Sequence, residues 1–294
     1  MFTLSVIIFA KKKRNIIGIL IQEFLAAVSL GGFILFLVHG RYGKFFGALG
    51  WICLVAMIFA NFPEYLHENN IAYPVIAIIS LPVLFATVKL LLKENRTIAL
   101  ATRGAAAAFL IYAPFAYIEP LGNLLIAANV FIIQIFLNAI GFTYTMADWN
   151  MFMHDVFRVE IVLGCTGIQA IAVMIGVAAA VTSEIRQKIL SAAVIIITVV
   201  IMNFIRNLFV IFAYTQQWFQ YFPEIASNGQ YGYESFFWAH NIISEFGLSL
   251  ITIIILGVAL LKINPELKDI IRDIIHIYKK ELRVKSLLSY DIQQ

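Results

Sequence analysis

Three side chains in the second half of this 294-residue sequence carry chemistry that helix packing alone does not call for. They are Cys165 in LGCTGIQA, Arg206 in NFIRNLF and His240 in FFWAHNIISEFG. A thiol, a guanidinium and an imidazole are the parts that acyl transfer needs. Cys165 would attack a peptide carbonyl, and His240 would take the thiol proton and return it to the leaving amine. Arg206 would stabilise the tetrahedral oxyanion, with most effect in a low-dielectric site. The backbone N–H groups of Thr166 and Gly167 could bind the same oxygen. Asn203 and Asn207, i,i+4 neighbours beside Arg206, give a polar edge suited to holding substrate. Ser244 lies on the His240 side of its helix, with Asn241 and Glu245 on a neighbouring edge. Each of the three main residues also has a plain structural reading: a small residue at a helix start, an arginine snorkelling to headgroups, and a hydrogen-bonded packing histidine. His154, Asp155 and Arg158 could substitute, but they read as surface polar residues. No metal-ligand spacing, glycine-rich phosphate loop or HExxH pattern is present, so neither a metal nor a cofactor is expected.

These residues need elements that place them together. Phe157, Val159, Ile161 and Leu163 alternate with Arg158 and Glu160, a period of two that predicts a short strand before the cysteine. Gly164 would permit a sharp turn, with a helix starting near Cys165. Unpaired N–H groups and the positive dipole end there would favour the thiolate, in the strand–turn–helix manner of a nucleophile elbow. Arg206 lies about eight residues, or roughly 12 Å, from the outer end of its predicted helix. An arginine at that depth is costly unless it faces a polar cavity or partner. His240 falls about one turn into the last long apolar segment.

Composition fixes the solvent of those helices. Apolar residues make up 62% and charged residues 13% of the chain, and mean hydropathy is +0.89. Soluble domains carry roughly twice that charge. Apolar runs reach the roughly 20 residues needed to cross a hydrocarbon core of about 30 Å. The expected architecture is therefore all-α: a single integral membrane domain, a polytopic helix bundle of about eight spans, with seven possible. A short strand-like segment precedes the cysteine outside the cytoplasm. Predicted spans are 15–39, 44–62, 71–92, 98–119, 121–141, 164–182, 189–214 and 236–262. Residues 1–141 supply the N-terminal spans, 142–262 the catalytic core and 263–294 a cytoplasmic tail. The +4 formal charge implies no nucleic-acid partner. The apolar start MFTLSVIIFA precedes the basic Lys11–Arg14 cluster, the reverse of a signal peptide. Cys53 sits within an apolar run and reads as a small core residue.

Charge sets the orientation. Lys268, Arg272, Lys279, Lys280, Arg283 and Lys285 place the tail in the cytoplasm. Counting back, 215–235 is external, 183–188 internal, and Cys165 opens its span at the outer face. Eight crossings, the preferred pattern, keep Lys11–Arg14 inside but put Arg41, Lys44, Lys93 and Arg96 outside, with Glu64 and Glu68 inside. If 121–141, whose Asn123, Gln134 and Asn138 share one face, does not cross, those loops obey the rule and the N-terminal cluster breaks it. The tail predicts an interfacial helix capped by Asn264 with Pro265 at its first position. Leu267, Ile271, Ile274 or Ile275, Tyr278 and Leu282 form its apolar stripe. The aromatics of 215–235 suit an outer interfacial belt.

At the chemical residues the sequence resembles the archaeosortase/exosortase family of membrane transpeptidases. The matching elements are Cys165-Thr166-Gly167-Ile168, Asn203 to Arg206 as Asn-x-x-Arg, and His240 opening the last span. The resemblance covers roughly 145–262. It implies a sorting enzyme acting on secreted proteins that end in a short motif, a transmembrane helix and a basic cluster. Such enzymes cleave near the motif and join the new C-terminus to a membrane lipid. It implies Cys165 as nucleophile, Arg206 as oxyanion-stabilising or substrate-binding group and His240 as base. Some archaeal members have arginine where His240 stands. Two other classes fit the residues: a transporter or channel with Arg206, Glu245 and Asn203 lining a polar path, and a non-enzymatic envelope scaffold.

Overall fold

The computed structural model describes residues 16–40, 42–62, 72–181, 183–227 and 229–288. In chain order the helices are α1 (Ile16–Val38), α2 (Gly43–Ala60), α3 (Ala72–Leu92), α4 (Arg96–Tyr117), α5 (Glu119–Ala139), α6 (Ile168–Ala179), α7 (Ile185–Thr215), α8 (Tyr233–Ile263) and α9 (Leu267–Leu288). Strands β1 (Thr145–Asp148), β2 (Met151–His154) and β3 (Phe157–Glu160) lie between α5 and α6. Among the described residues, α1 to α5, α7 and α8 are long and apolar enough to cross a membrane. Their surfaces expose Leu124, Phe131, Ile197, Ile201 and Leu250, side chains that suit lipid rather than water. The all-α polytopic expectation holds, and most boundaries fall within a few residues of the predicted spans.

The predicted span 164–182 differs. Its helix, α6, has only 12 residues, about 18 Å, against a hydrocarbon core of about 30 Å. The predicted strand is present as β3, but it belongs to a three-stranded antiparallel meander that the alternation near Cys165 did not reveal. Lys11–Arg14, Arg41, Glu64 and Glu68 lie outside the described residues.

The chain forms two compact units, whose boundaries fall inside α4, α6, α7 and α8. Among the described residues, one comprises 111–174 and 192–259; the other comprises those of 16–110, 175–191 and 260–288. In the second unit, small residues let helices approach to backbone contact. A Cβ added at Gly32 of α1 would lie 2.8 Å from the Phe46 carbonyl of α2, and one at Gly104 of α4 would lie 2.7 Å from the Gly176 carbonyl of α6. Trp51 Nε1 donates to Thr102 Oγ1 at 3.1 Å, joining α2 to α4.

The tail helix docks in this same unit. Tyr278 and Thr87 of α3 share a 2.5 Å hydroxyl hydrogen bond, and Lys89 of α3 pairs with Glu281. Burial raises the Tyr278 phenol above its ordinary 10.0, opposed by the Thr87 bond. The apolar stripe is thus divided: Leu267 is buried and Tyr278 faces α3, while Ile271, Ile275 and Leu282 stay exposed. The expected Asn264 cap does not form. Asn264 Nδ2 donates instead to Ser191 Oγ at 2.9 Å, its Oδ1 has no partner among the described residues, and α9 starts at Leu267. Gln187 Nε2 donates to Ile263 O at 3.1 Å, so the start of α7 and the end of α8 meet.

The first unit holds the larger core. Phe152, Val159 and Ile161 from the sheet pack with Ile126, Val130, Ile133 and Leu137 of α5 and with Leu208, Ile211 and Tyr214 of α7. Fully burying a side chain of this size contributes about 1.5–3 kcal/mol, so the sheet is anchored on α5 and α7. Asn150 fixes its exit. Ile161 N donates to Asn150 O at 2.8 Å, and Asn150 Nδ2 donates back to Ile161 O at 2.9 Å. That exit leads directly to the cysteine.

Candidate active site

After β3 the chain stays extended through Val162, then tightens into a 3-10 turn over Leu163–Thr166 that contains Cys165. Gly164 makes no unusual turn. The residue that does is Gly167, in the left-handed region at φ +80. Two features set this register. Thr166 Oγ1 donates to Leu163 O at 2.7 Å and accepts from Ile168 N at 3.4 Å, so the threonine hydroxyl spans the turn and the helix start. Gly167 also sits where a Cβ would be 2.9 Å from Val199 Cγ1 and 3.3 Å from Asn203 Cγ. The helix consequently opens at Ile168, three residues beyond the thiol rather than at it. Cys165 N donates to Val162 O at 2.8 Å, and in a 3-10 turn the following amides face carbonyls three residues back. The amides of Thr166 and Gly167 are therefore less available to an oxyanion than the sequence suggested.

The two asparagines meet Cys165 from α7. Asn203 Nδ2 donates to the Cys165 carbonyl at 2.7 Å, and Asn207 Nδ2 donates to the same oxygen at 2.9 Å. Both side chains are buried. Asn203 also donates to Asn129 Oδ1 of α5 at 3.4 Å, while Asn129 Nδ2 donates to Leu125 O at 2.9 Å. Sequence reasoning missed Asn129. Its one available signal was an amide in an apolar helix, which Asn123, Gln134 and Asn138 shared.

Arg206 lies between these asparagines and reaches α8. Its Nη2 is 3.2 Å from His240 Nε2, and His240 Nδ1 is 2.8 Å from Asn241 Oδ1. A guanidinium can only donate, so Nε2 must be the acceptor and carry no proton. Nδ1–H then donates to the amide oxygen of Asn241. The imidazole is neutral, with its lone pair toward α7. Phe236 stacks on its face, with centroids 4.9 Å apart and planes within 8°. The Nε of Arg206 is buried without a partner among the described residues. A buried donor left unmade costs about 1–3 kcal/mol, more for a charged group, so the site holds hydrogen-bonding capacity that nothing among the described residues uses.

The backbone carrying His240 is also unusual. Phe237–Leu248 forms a π-helix, whose bonds run to the fifth residue and which occurs mostly as single turns near functional sites. The sequence reading placed Ser244 one turn from His240. In the structure Ser244 is fully buried. Ser235 Oγ donates to Ala213 O at 2.7 Å and Trp238 Nε1 to Tyr221 O at 2.8 Å, tying the start of α8 to the end of α7 and the loop beyond. Cys165 itself is half-buried against the aromatic and aliphatic core that includes Phe136, Phe204 and Phe236.

The remaining polar residues have structural duties. His154 Nδ1 bonds Thr143 O at 2.5 Å and its ring stacks on Phe142. Asp155 forms the tight turn between β2 and β3 at φ 51. Cys53 is buried in α2 and unpaired, like Cys165. No group of three or more potential metal ligands occurs among the described residues.

The family model described as transmembrane exosortase (Exosortase_EpsH) matches residues 30–232. Archaeosortase A of Haloferax volcanii is 25% identical over 293 residues, covering 88% of this chain and 94% of that protein. Archaeosortase A of Natronomonas pharaonis is 26% identical over 228 residues, covering 71% and 72%. No solved structure matches the chain. The family match spans the sheet, the cysteine turn and the arginine helix, and the chain therefore belongs to the transmembrane exosortase family of sortase-like membrane transpeptidases.

Proposed function

We propose that this protein is a cysteine transpeptidase that cleaves the C-terminal sorting signal of secreted proteins within the outer part of the membrane. The observation that carries the reading is the Arg206–His240 pair, its arginine on the helix that binds the Cys165 carbonyl, with one guanidinium donor buried and without a partner among the described residues. In the reaction, the Cys165 thiol proton passes to His240 Nε2 and the sulfur attacks the substrate carbonyl carbon. An imidazole protonated at Nε2 can no longer accept from Arg206. The arriving proton thus releases Nη2 to join Nε on the developing oxyanion. Collapse of the tetrahedral species breaks the C–N bond, and His240 returns its proton to the leaving amine. The acceptor nucleophile, which we propose is a membrane lipid, then attacks the thioester carbonyl carbon and gives its proton to His240; the C–S bond breaks, and the proton returns to the Cys165 sulfur. Asn241 keeps Nδ1–H occupied throughout, so that Nε2 stays the reactive nitrogen.

Contacts and charge support an outward-facing site. Thr87 and Lys89, near the end of α3, bind the tail helix, and Lys44 at the start of α2 pairs with Glu94 at 2.6 Å. The α1–α2 and α3–α4 connections therefore share the side of the basic tail, which the positive-inside tendency assigns to the cytoplasm. Ile118, after α4, is then outside, and Ser183, before α7, is inside. Only an odd number of crossings joins them, so α5 and α6 cannot both cross. The Cys165 carbonyl binds Asn203 and Asn207, at least 18 residues or about 27 Å along α7 from its cytoplasmic end at Ile185. The thiol thus begins in the outer half, from where the short α6 leads inward, and α5 starts and ends outside. This supports the pattern in which 121–141 does not cross.

The test is Cys165→Ala expressed with a secreted protein bearing a C-terminal hydrophobic span and basic cluster. The expected outcome is an inserted enzyme and a substrate that keeps its full C-terminus. Normal cleavage by that variant would overturn the proposal.

A further inference from the structure

The strongest unassigned feature is the convergence of two buried amides on one backbone oxygen. Asn203 and Asn207 were expected to hold substrate, yet both side chains donate to the carbonyl of the nucleophile's own residue, at 2.7 and 2.9 Å. That carbonyl lies upstream of α6, whose backbone ladder opens with Ile171 N donating to Gly167 O at 3.0 Å. We propose that Asn203 and Asn207 are positioning residues for Cys165, with Asn129 as their support, rather than substrate ligands. This rests on the transpeptidase reading above and deepens it.

The physical case is one of dihedral control. Cys165 has its N–H pinned to Val162 O at 2.8 Å and its C=O pinned to α7, so both peptide planes flanking its Cα are fixed. With those planes fixed, the Cα–Cβ direction is fixed, and only the side-chain rotamer remains free. The anchor on the C=O side is helix α7 itself, one residue from Arg206 on one flank and three on the other. The thiol and the guanidinium are thereby registered to one rigid element, as a preorganised site requires. Two donors on one acceptor also make the restraint redundant: loss of either amide leaves the other in place. Asn129 restrains Asn203 further by accepting its second N–H at 3.4 Å. No free donor is left on the Asn203 amide for a substrate carbonyl.

The experiment uses the full-length enzyme in a Cys53→Ala background, so that Cys165 is the sole thiol, and two readouts. The first is the rate of Cys165 alkylation by iodoacetamide, a small neutral probe that needs no substrate recognition. The second is the split of processing into kcat and KM. Asn203→Leu and Asn207→Leu remove the donors while nearly keeping volume. Each single variant should alkylate within about twofold of the parent. The double variant should alkylate about tenfold more slowly, a difference of roughly 1.4 kcal/mol, because the backbone that directs the sulfur is no longer held to α7. Its kcat should fall with KM little changed. Two results overturn the proposal. Parental alkylation with raised KM would return the asparagines to substrate binding, and accelerated alkylation would show that they only hold the fold closed. Should the double variant fail to insert, Asn129→Leu combined with Asn207→Leu gives the same comparison with one direct bond retained and a smaller expected slowing. The alkylation readout stands whether or not the enzyme is a transpeptidase, so its failure is distinct from failure of Cys165→Ala to block processing.

Discussion

Gly167→Ala should disable the enzyme while leaving it folded in the membrane. Gly167 adopts φ +80, and an added Cβ would meet Val199 Cγ1 at 2.9 Å and Asn203 Cγ at 3.3 Å. A left-handed conformation costs a residue with a Cβ about 1–2 kcal/mol, and forcing a methyl into a packed site costs about 1–3 kcal/mol. The sum, about 2–5 kcal/mol, is a loss of the competent turn by a factor of about 30 to several thousand. It falls two residues from Cys165, on the side chain that holds the Cys165 carbonyl. Gly164→Ala is the matched comparison. Gly164 has an ordinary φ and nothing within 4 Å of an added Cβ, so activity should stay within about twofold, the scale of a surface change of about 0.5 kcal/mol. The assay is initial-rate processing of a sorting-signal substrate in liposomes, with detergent thermal stability alongside. Equal activity of the two alanine variants, or a heavier loss at Gly164, would refute the assignment of Gly167 as the turn that sets the nucleophile.

Other outcomes follow from the same geometry. Arg206→Lys keeps a positive charge but not the paired donors, so kcat should fall by about 10²–10³ with KM nearly unchanged; a loss confined to KM would make Arg206 a substrate anchor instead. The tail should show a pH dependence of its own. Burial raises the Tyr278 phenol above its ordinary 10.0, so its contribution to docking is complete below that value and fades as pH climbs toward the folded-state value. Protease cleavage of α9 should accordingly accelerate above about pH 10, and the extra alkaline sensitivity should be missing in Tyr278→Phe.

What the sequence disclosed and what it concealed divide along physical lines. Apolar runs of about 20 residues have one stable solution in lipid, so the helices were legible almost to their ends. Cys165, Arg206 and His240 were visible because each is expensive or unusual where it stands. The turn was harder to read. Gly164 and Gly167 are equally permissive as residue types, and only the Val199 and Asn203 side chains packed against the second decide which one turns. The proposed division, in which α5 does not cross, was hidden for a similar reason. Hydropathy counts apolar residues, whereas the Lys89–Glu281 pair and the Asn203–Cys165 bond belong to tertiary structure. The tail's stripe was correct in period, but Tyr278 within it bonds Thr87 of α3, because a tyrosine that suits a headgroup region equally suits a threonine. No residue pattern marks the π-helix under His240, since its i→i+5 bonds join the same backbone groups that an α-helix uses.

The most direct measurement is capture of the acyl-enzyme. Rapid acid quenching of enzyme with a sorting-signal substrate, followed by intact mass and peptide mapping, should find the substrate's N-terminal fragment attached to Cys165. The adduct should be released by hydroxylamine and be absent from Cys165→Ala. Cleaved substrate accumulating with no adduct on Cys165 at any quench time, or with the adduct on another residue, would contradict the account.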